Sequence, residues 1–232
     1  RLRAAINLGN PVLASRDPAT GEPCGVSVDL ARELSARLGV PVELVVYEAA
    51  GKVVDALRSD GWDVAFLAID PKRALEIAYT PAYVEIEGAY LVREDSPIRD
   101  NAEVDAPGVR VVVAQGAAYD LHLTRELKRA TLVRAPTSAA VVDTFVAGGY
   151  DVAAGVKQQL EADAKRHPGM RLLPGRFMVI RQAMGTPRGR EAGACFLAGF
   201  VETMKSSGFV ARALERHRVE GATVAPAGNA SG

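Results

Sequence analysis

Apolar residues along this chain switch repeatedly between two periods. Residues 2–7 are compact and apolar enough for a first strand. Turn formers follow: Gly9, Asn10, Pro11, Asp17, Pro18, Gly21 and Pro23. Val26, Leu30, Leu34 and Leu38 then recur at one helical face, and Gly39 with Pro41 ends that helix. Val42–Tyr47 is β-branched and aromatic, a strand pattern. A helix is predicted over 51–58 and a buried strand over 63–69. Asp70-Pro71 opens a further short helix, with Asp70 as N-cap and Pro71 at the first helical position. Tyr83–Val92 is extended.

The polar stretch 93–108 carries Pro97, Asp100, Asn101, Pro107 and Gly108 and reads as a linker. Beyond it the alternation restarts. Strands are predicted at 109–114, 131–134, 152–154 and 170–173. Helices are predicted at 117–128, around Val141–Val146 and at 156–165. Phe177–Ala183 is extended again, and two helices separated by Gly208 close the series. Strands alternating with helices predict an α/β protein with mainly parallel sheets flanked by helices. The two series predict two lobes joined by two crossing strands. Lobe one comprises 1–91 and 181–220, lobe two 92–180, and 221–232 is expected to be a disordered tail. A cleft between such lobes is a natural place for a small molecule.

Composition narrows the function. Lys plus Arg and Asp plus Glu both number 28 in 232 residues, so a basic nucleic-acid partner is not expected. No run approaches 18 uncharged apolar residues, so no membrane-spanning helix is expected. Cys24 and Cys195 are the two cysteines. Cys195 falls on an apolar helical stripe and reads as a small core residue, and their pairing is left open. His122, His167 and His217 lie far apart in sequence. Metal-ligand spacings, nucleophile elbows and phosphate-binding glycine loops do not occur. No cofactor, metal or catalytic residue is therefore expected.

Three segments, in order, resemble the bacterial extracellular solute-binding proteins that serve amino-acid ABC importers. The first is Gly25-Val26-Ser27-Val28-Asp29-Leu30-Ala31, running on to Leu38-Gly39. The second is Asp63-Val64-Ala65-Phe66-Leu67-Ala68-Ile69-Asp70-Pro71-Lys72-Arg73, followed by Ile77-Ala78-Tyr79-Thr80-Pro81-Ala82-Tyr83, where the family runs Phe-Ser-x-Pro-Tyr-Tyr. The third is Gly108-Val109-Arg110-Val111, Gln115-Gly116 and Gly149-Tyr150-Asp151-Val152. The resemblance covers about residues 1–218. It implies the type II periplasmic-binding-protein fold, a small carboxylate ligand, an ABC permease partner and a monomer. It also implies a periplasmic location. No signal peptide is visible before Arg1-Leu2-Arg3, which keeps a cytoplasmic location as the alternative.

Arg73 is the leading ligand-binding candidate. With Asp70 as N-cap, Lys72 and Arg73 stand in the first helical turn, against the helix dipole. A bound anion would relieve that conflict, and a planar guanidinium suits a carboxylate. The alternative is an ion pair with Glu76 or another surface acid. The resemblance implies that Arg73 grips a ligand carboxylate. Ala68 stands where the family has a hydroxyl, leaving its backbone N–H as donor. Gln115 and Ala117, with Ala118, occupy the turn where the family offers another hydroxyl. Val156 and Lys157 replace the acid that holds an α-amino group, so a ligand without that amine is expected.

Glu85 and Glu87 share a strand face with Tyr83. They either accept from a ligand amine or lie on a solvated face. Asn7 and Asn10 lie at and just after the end of the first strand. They either face the ligand or serve the turn. Phe66, Tyr47 and Tyr119 either wall the site or belong to the core, while Trp62 reads as a packing residue. Two rival functions share the implied fold. One is an enzyme like cyclohexadienyl dehydratase, with Glu85 or Glu87 as its acid. The other is a sensory or regulatory ligand-binding module.

Overall fold

The computed structural model describes residues 1–228. Along the chain run β1 (Leu2–Asn7), β2 (Ser15–Arg16), β3 (Pro23–Cys24), α1 (Val26–Leu38), β4 (Val42–Tyr47), α2 (Ala50–Asp55) and β5 (Val64–Ala68). Then come β6 (Ile77–Arg93), β7 (Arg110–Ala114), α3 (Ala118–Glu126), β8 (Thr131–Ala135), α4 (Val141–Ala147), β9 (Val152–Val156) and α5 (Lys157–Ala164). The last elements are β10 (Met170–Leu172), β11 (Met178–Pro187), α6 (Glu191–Ser206), α7 (Phe209–Arg216) and β12 (Thr223–Val224). The chain divides into two compact units, one of Arg1–Glu85 with Arg181–Gly232 and the other of Ile86–Ile180. β6 and β11 are the strands along which the chain passes from one unit to the other.

In the first unit, β1 pairs in parallel with β4 and β5, and β11 pairs antiparallel with β5. Val26, Leu30 and Leu34 of the helical stripe read from sequence are fully buried on α1, with Ala31 beside them, but Leu38 at its end is 41% exposed. Gly25 precedes this helix at φ 124°, a backbone region that L side chains rarely enter, and a Cβ there would strike the Leu13 carbonyl. Ala5, Val53, Trp62, Ala65, Leu67 and Ile77 form a second apolar cluster. The Trp62 indole N–H donates to Val53 O at 2.8 Å, satisfying its one polar group. Asp29 on α1 accepts from Arg216 at 3.0 Å and contacts His217 at 2.7 Å, tying α7 to α1.

In the second unit, β7 pairs in parallel with β8 and β9, β9 runs antiparallel to β6, and β10 adds to β6. Val111, Val112, Val113, Val152, Ala153 and Phe145 are fully buried at its centre. Arg93 lies over the Phe145 ring at 4.6 Å and donates to Tyr150 O at 2.6 Å.

Several expectations change. The helix predicted after Asp70-Pro71 is a single 3-10 turn, Arg73–Leu75. Asp70 still caps it, because its Oδ1 accepts from Lys72 N at 2.8 Å. The extended segment expected from Tyr83 begins at Ile77, so β6 has 17 residues. The stretch 93–108 is not a linker: Val104 is fully buried and Ile98 is 8% exposed, both in the core of the second unit. Cys195 is exposed rather than core, and both cysteines are free. The tail is ordered over its first part. β12 pairs with Val84 and Glu85, Ala225 N donates to Tyr83 O at 3.0 Å, and Gly228 N donates to Glu202 at 3.0 Å. The remainder of the expected tail, 229–232, lies outside the described residues.

Two stability predictions follow from these contacts. Phe145→Ala removes a fully buried ring and is expected to cost about 3–5 kcal/mol, read as a lower urea midpoint for the second unit. Asp63 accepts from Arg3 N at 2.8 Å, Arg3 Nη2 at 3.0 Å and Arg190 Nη1 at 2.9 Å. Those donors, Arg3 foremost, hold its carboxyl well below the usual carboxylate range. Its contribution is therefore complete above about pH 4, the unfolded value, and is lost as pH falls further. Urea midpoints of Asp63→Asn are expected to lie below wild type at pH 7 and to converge with it below about pH 4.

Candidate functional site

Strand β5 ends at Ala68, and the chain leaves its C-terminal end through Ile69 and Asp70 into the 3-10 turn. C-terminal strand ends are where open α/β sheets present their ligands. Both charged residues of this corner are buried: Asp70 is 2% exposed and Arg73 3%. The Asp70 carboxylate faces backbone donors, accepting from Lys72 N at 2.8 Å and Arg73 N at 3.4 Å, and its carbonyl accepts from Ala74 N at 2.9 Å. The main chain at Arg73 is thereby fixed from both sides of the Asp70 peptide.

The Arg73 guanidinium curls back onto the strand it follows. Its Nη1 donates to Ala68 O at 3.2 Å. The Tyr79 hydroxyl donates to the same oxygen at 2.9 Å. The acceptor is rigid in turn, because Ala68 pairs with Gln182 in the β5–β11 ladder and Ile69 N donates to Arg181 O at 2.8 Å. Burial pushes the Tyr79 phenol up to about 12; Arg73 lowers it and Asp70 raises it further. The hydroxyl is thus a neutral donor throughout the physiological range. The dipole argument for Arg73 falls away, since one 3-10 turn aligns too few peptides to carry a macrodipole. The Ala68 carbonyl is one acceptor that holds the Arg73 guanidinium. The expected alternative pairing with Glu76 is not the arrangement found.

Asn7 Oδ1 accepts from Gly9 N at 2.8 Å, the turn chemistry offered as its alternative role. Asn10 is 8% exposed, its carbonyl accepts from Leu13 N and Ala14 N, and its Oδ1 has no hydrogen-bond partner among the described residues. Phe66 is 3% exposed and meets Tyr83 edge to face at 6.4 Å, so its ring belongs to the core rather than to a ligand wall. Tyr47 packs on the Trp62 cluster. Glu85 pairs with Arg181 at 3.5 Å.

The second unit holds the other candidates in two groups. Gln115-Gly116-Ala117 is the turn into α3, with Gly116 at φ 77°. Gln115 N donates to Ala135 O at 2.9 Å. Asp120, 4% exposed, accepts from Gly116 N at 2.9 Å and pairs with Arg134 at 3.1 Å, which clamps the turn. Tyr119 is 2% exposed and shares a hydrogen bond with Ser138 at 2.8 Å, so it too is a core ring. Val156 ends β9 at 5% exposure, and Lys157 opens α5. Lys157 pairs with Glu87 at 3.7 Å, and Glu87 also faces Arg176 at 3.6 Å. Lys157 is therefore a neutralised cation rather than an isolated one.

Tyr79 and Asp120 carry no role in the sequence reading. Tyr79 had a signal, since with Pro81 in register it stands where the resembled motif has Ser, keeping a hydroxyl there. Asp120 had a weaker one, an acid in the first turn of a predicted helix.

Each unit is a mixed sheet flanked by helices, parallel at β1–β4–β5 and β7–β8–β9 and antiparallel where β6 and β11 pair, rather than the mainly parallel sheet expected, and the fold is that of the periplasmic-binding-protein type II class. Residues 2–219 match the bacterial extracellular solute-binding proteins, family 3, and the chain belongs to that family. No curated protein matches. Among solved structures the chain is similar to the solute receptor for L-cysteine of Neisseria gonorrhoeae, at 23% identity over 95% of this chain and 91% of that one, with TM-score 0.81. It is similar to a histidine kinase sensor domain with similarity to periplasmic binding proteins, at 21% identity over 97% of both chains, with TM-score 0.82. It is also similar to an ancestral amino-acid-binding protein described as a precursor of cyclohexadienyl dehydratase, at 20% identity over 93% and 94% of the two chains, with TM-score 0.77.

Burial raises the pKa of Tyr83, Tyr90 and Tyr119 as well as that of Tyr79. A phenol raised on folding favours the folded state below its unfolded value near pH 10, and that contribution is lost as pH climbs toward the folded value. Phenolate absorbance is therefore expected to lag behind that of free tyrosine above pH 10, then to rise together with loss of secondary structure.

Proposed function

We propose that this chain is the solute receptor of an ABC importer, working outside the cytoplasm as a monomer, and that Arg73 takes the carboxylate of a small metabolite. The observation that carries this reading is the buried Arg73 at the C-terminal end of β5, fixed by the Ala68 carbonyl. A buried cation is costly to desolvate and is kept where a specific anion repays it. Its planar fork suits two parallel hydrogen bonds to a carboxylate. The known receptor for L-cysteine on this fold supports the same class of ligand.

The ligand we propose lacks an α-ammonium. Val156 offers no charge, and Lys157 beside it is a cation matched to Glu87. An enzymatic reading needs an acid protected from cations and solvent. Glu85 faces Arg181, and Glu87 faces Lys157 and Arg176, so neither acid is set apart from cations.

A thermal-shift panel tests this reading, with L-amino acids, 2-oxo acids, 2-hydroxy acids, aromatic carboxylates and dicarboxylates. A compound at about 100 times its Kd adds roughly 2.7 kcal/mol, or about 5–10 °C for a chain of this length. The expected result is stabilisation by an amine-free acid that disappears in Arg73→Ala. Stabilisation that survives Arg73→Ala would remove Arg73 from the site, and a response confined to amino acids would overturn the amine-free assignment.

A further inference from the structure

The second unit holds a groove that the corner of β5 does not use. Its volume is about 420 Å³, the size of a small-molecule site. It is lined by Arg93, the loop 95–98, the loop 107–109 and Asp151. Arg93 ends β6, β7 starts at Arg110, and Asp151 directly precedes β9. The groove therefore opens at the N-terminal ends of β7 and β9. The turn 115–117 leaves the opposite end of β7, and the strand between them is about 15 Å long.

The walls are fixed by polar contacts. Arg171 of β10 donates through Nη2 to Ser96 O at 2.7 Å and to Ile98 O at 2.8 Å, and Ser96 Oγ accepts from Ile98 N at 3.2 Å. Arg93 gives Nη1 to Tyr150 O at 2.6 Å and Nη2 to Phe145 O at 3.4 Å, with its guanidinium over the Phe145 ring. Asp151 Oδ2 accepts from Arg110 N at 2.8 Å and Arg110 Nε at 3.2 Å. That fixes the carboxylate and leaves its Oδ1 with no hydrogen bond among the described residues. The Asp95 carboxylate has neither a hydrogen bond nor an ion pair among the described residues. Pro97, Ile98, Pro107 and Val109 supply hydrocarbon. At Gly108, φ 83°, no atom stands within 4 Å of where a Cβ would be, so nothing covers the groove there.

We propose that this groove is a second small-molecule site, which takes a short alkyl compound by its primary ammonium, held by Asp95, Asp151 Oδ1 and Ser96 Oγ, with the alkyl chain against the prolines. An ammonium carries three donors and no acceptor, and hydrogen bonds from it to carboxylates are the strong, charge-assisted kind. An anion in the same place would meet two carboxylates and be repelled. Arg93 does not reverse this preference, because both its terminal nitrogens are engaged by carbonyls and its plane covers a ring. The site goes beyond the receptor reading and shares no residue with it.

The test is an amide-resolved NMR titration of wild type, Asp95→Asn, Asp95→Lys and Arg73→Ala. The probes are n-butylammonium, tetramethylammonium, butyrate and n-butanol. In wild type, n-butylammonium is expected to move the amides of 95–98, 107–110 and 151, and butyrate and n-butanol to leave them in place. Tetramethylammonium has the charge without N–H donors and is expected to move them far less. Asp95 is exposed, so its replacement disturbs no packing, and unchanged signals elsewhere confirm the fold. Asp95→Asn is expected to weaken n-butylammonium about fivefold, the scale of a solvent-exposed charge pair. Asp95→Lys brings an ammonium of its own and is expected to abolish the response. Arg73→Ala is expected to respond as wild type does. No movement of these amides, or an equal response to butyrate, n-butanol or tetramethylammonium, would overturn the inference. So would an unchanged affinity in Asp95→Asn. Loss of the response in Arg73→Ala would move the amine to the corner of β5 and overturn it as well. A carboxylate panel without a hit, beside an intact n-butylammonium response, would sink the receptor reading and leave this site standing.

Discussion

A guanidinium with 3% exposure has lost most of its water, and its burial is costly unless fixed acceptors replace that water. Arg73 finds its acceptor in the last carbonyl of β5, the place where a strand runs out of ladder partners. The organisation of the first unit around this corner follows from that need. β5 must be central, so that the carbonyl is rigid; it is paired with β1 on one side and β11 on the other. Arg73 opens the 3-10 turn that follows β5, five residues after Ala68, close enough for its side chain to fold back. Asp70 must be turned toward the backbone amides, so that it caps the turn.

The same economy separates candidate residues held by polar contacts from those absorbed into apolar packing and turns. Phe66 and Tyr119 bury their rings among apolar neighbours, and Asn7 closes a local turn. Arg73, the backbone at Ala68 and the clamped turn at Gly116 are polar groups held in place by other polar groups. A binding site needs such preorganisation, because every group ordered at the moment of binding subtracts from affinity. The three similar structures, a receptor, a sensor domain and an enzyme precursor, show that the fold leaves function open. Function therefore has to be argued from this corner and not from the architecture.

Much of the fold was legible from local pattern. The α1 stripe, the β-branched strand at Val42–Tyr47 and the alternation of strands with helices depend on burial periodicity, which is written residue by residue. The stretch 93–108 misled because its turn residues are local signals, while the burial of Val104 depends on a sheet formed by distant segments. Cys195 misled for the converse reason: α6 is apolar on more of its circumference than the fold covers. The tail looked structureless because Thr223-Val224 is too short to show a period, and it becomes a strand only by pairing with Val84 and Glu85.

By itself the sequence determined the α/β class, the family-like order of motifs, Arg73 as the leading cation and the lack of an acid at Val156. Each of these follows from residue identity or from near neighbours. Only the tertiary structure decided what Arg73 rests on. Ala68 and Tyr79 are 11 residues apart, and their meeting requires β5 and β6 to be brought together around β11. It also decided that Lys157 is matched by Glu87, 70 residues away along the chain. Hydrogen bonds and ion pairs act within about 4 Å, so a sequence can name their members but only the folded chain can join them.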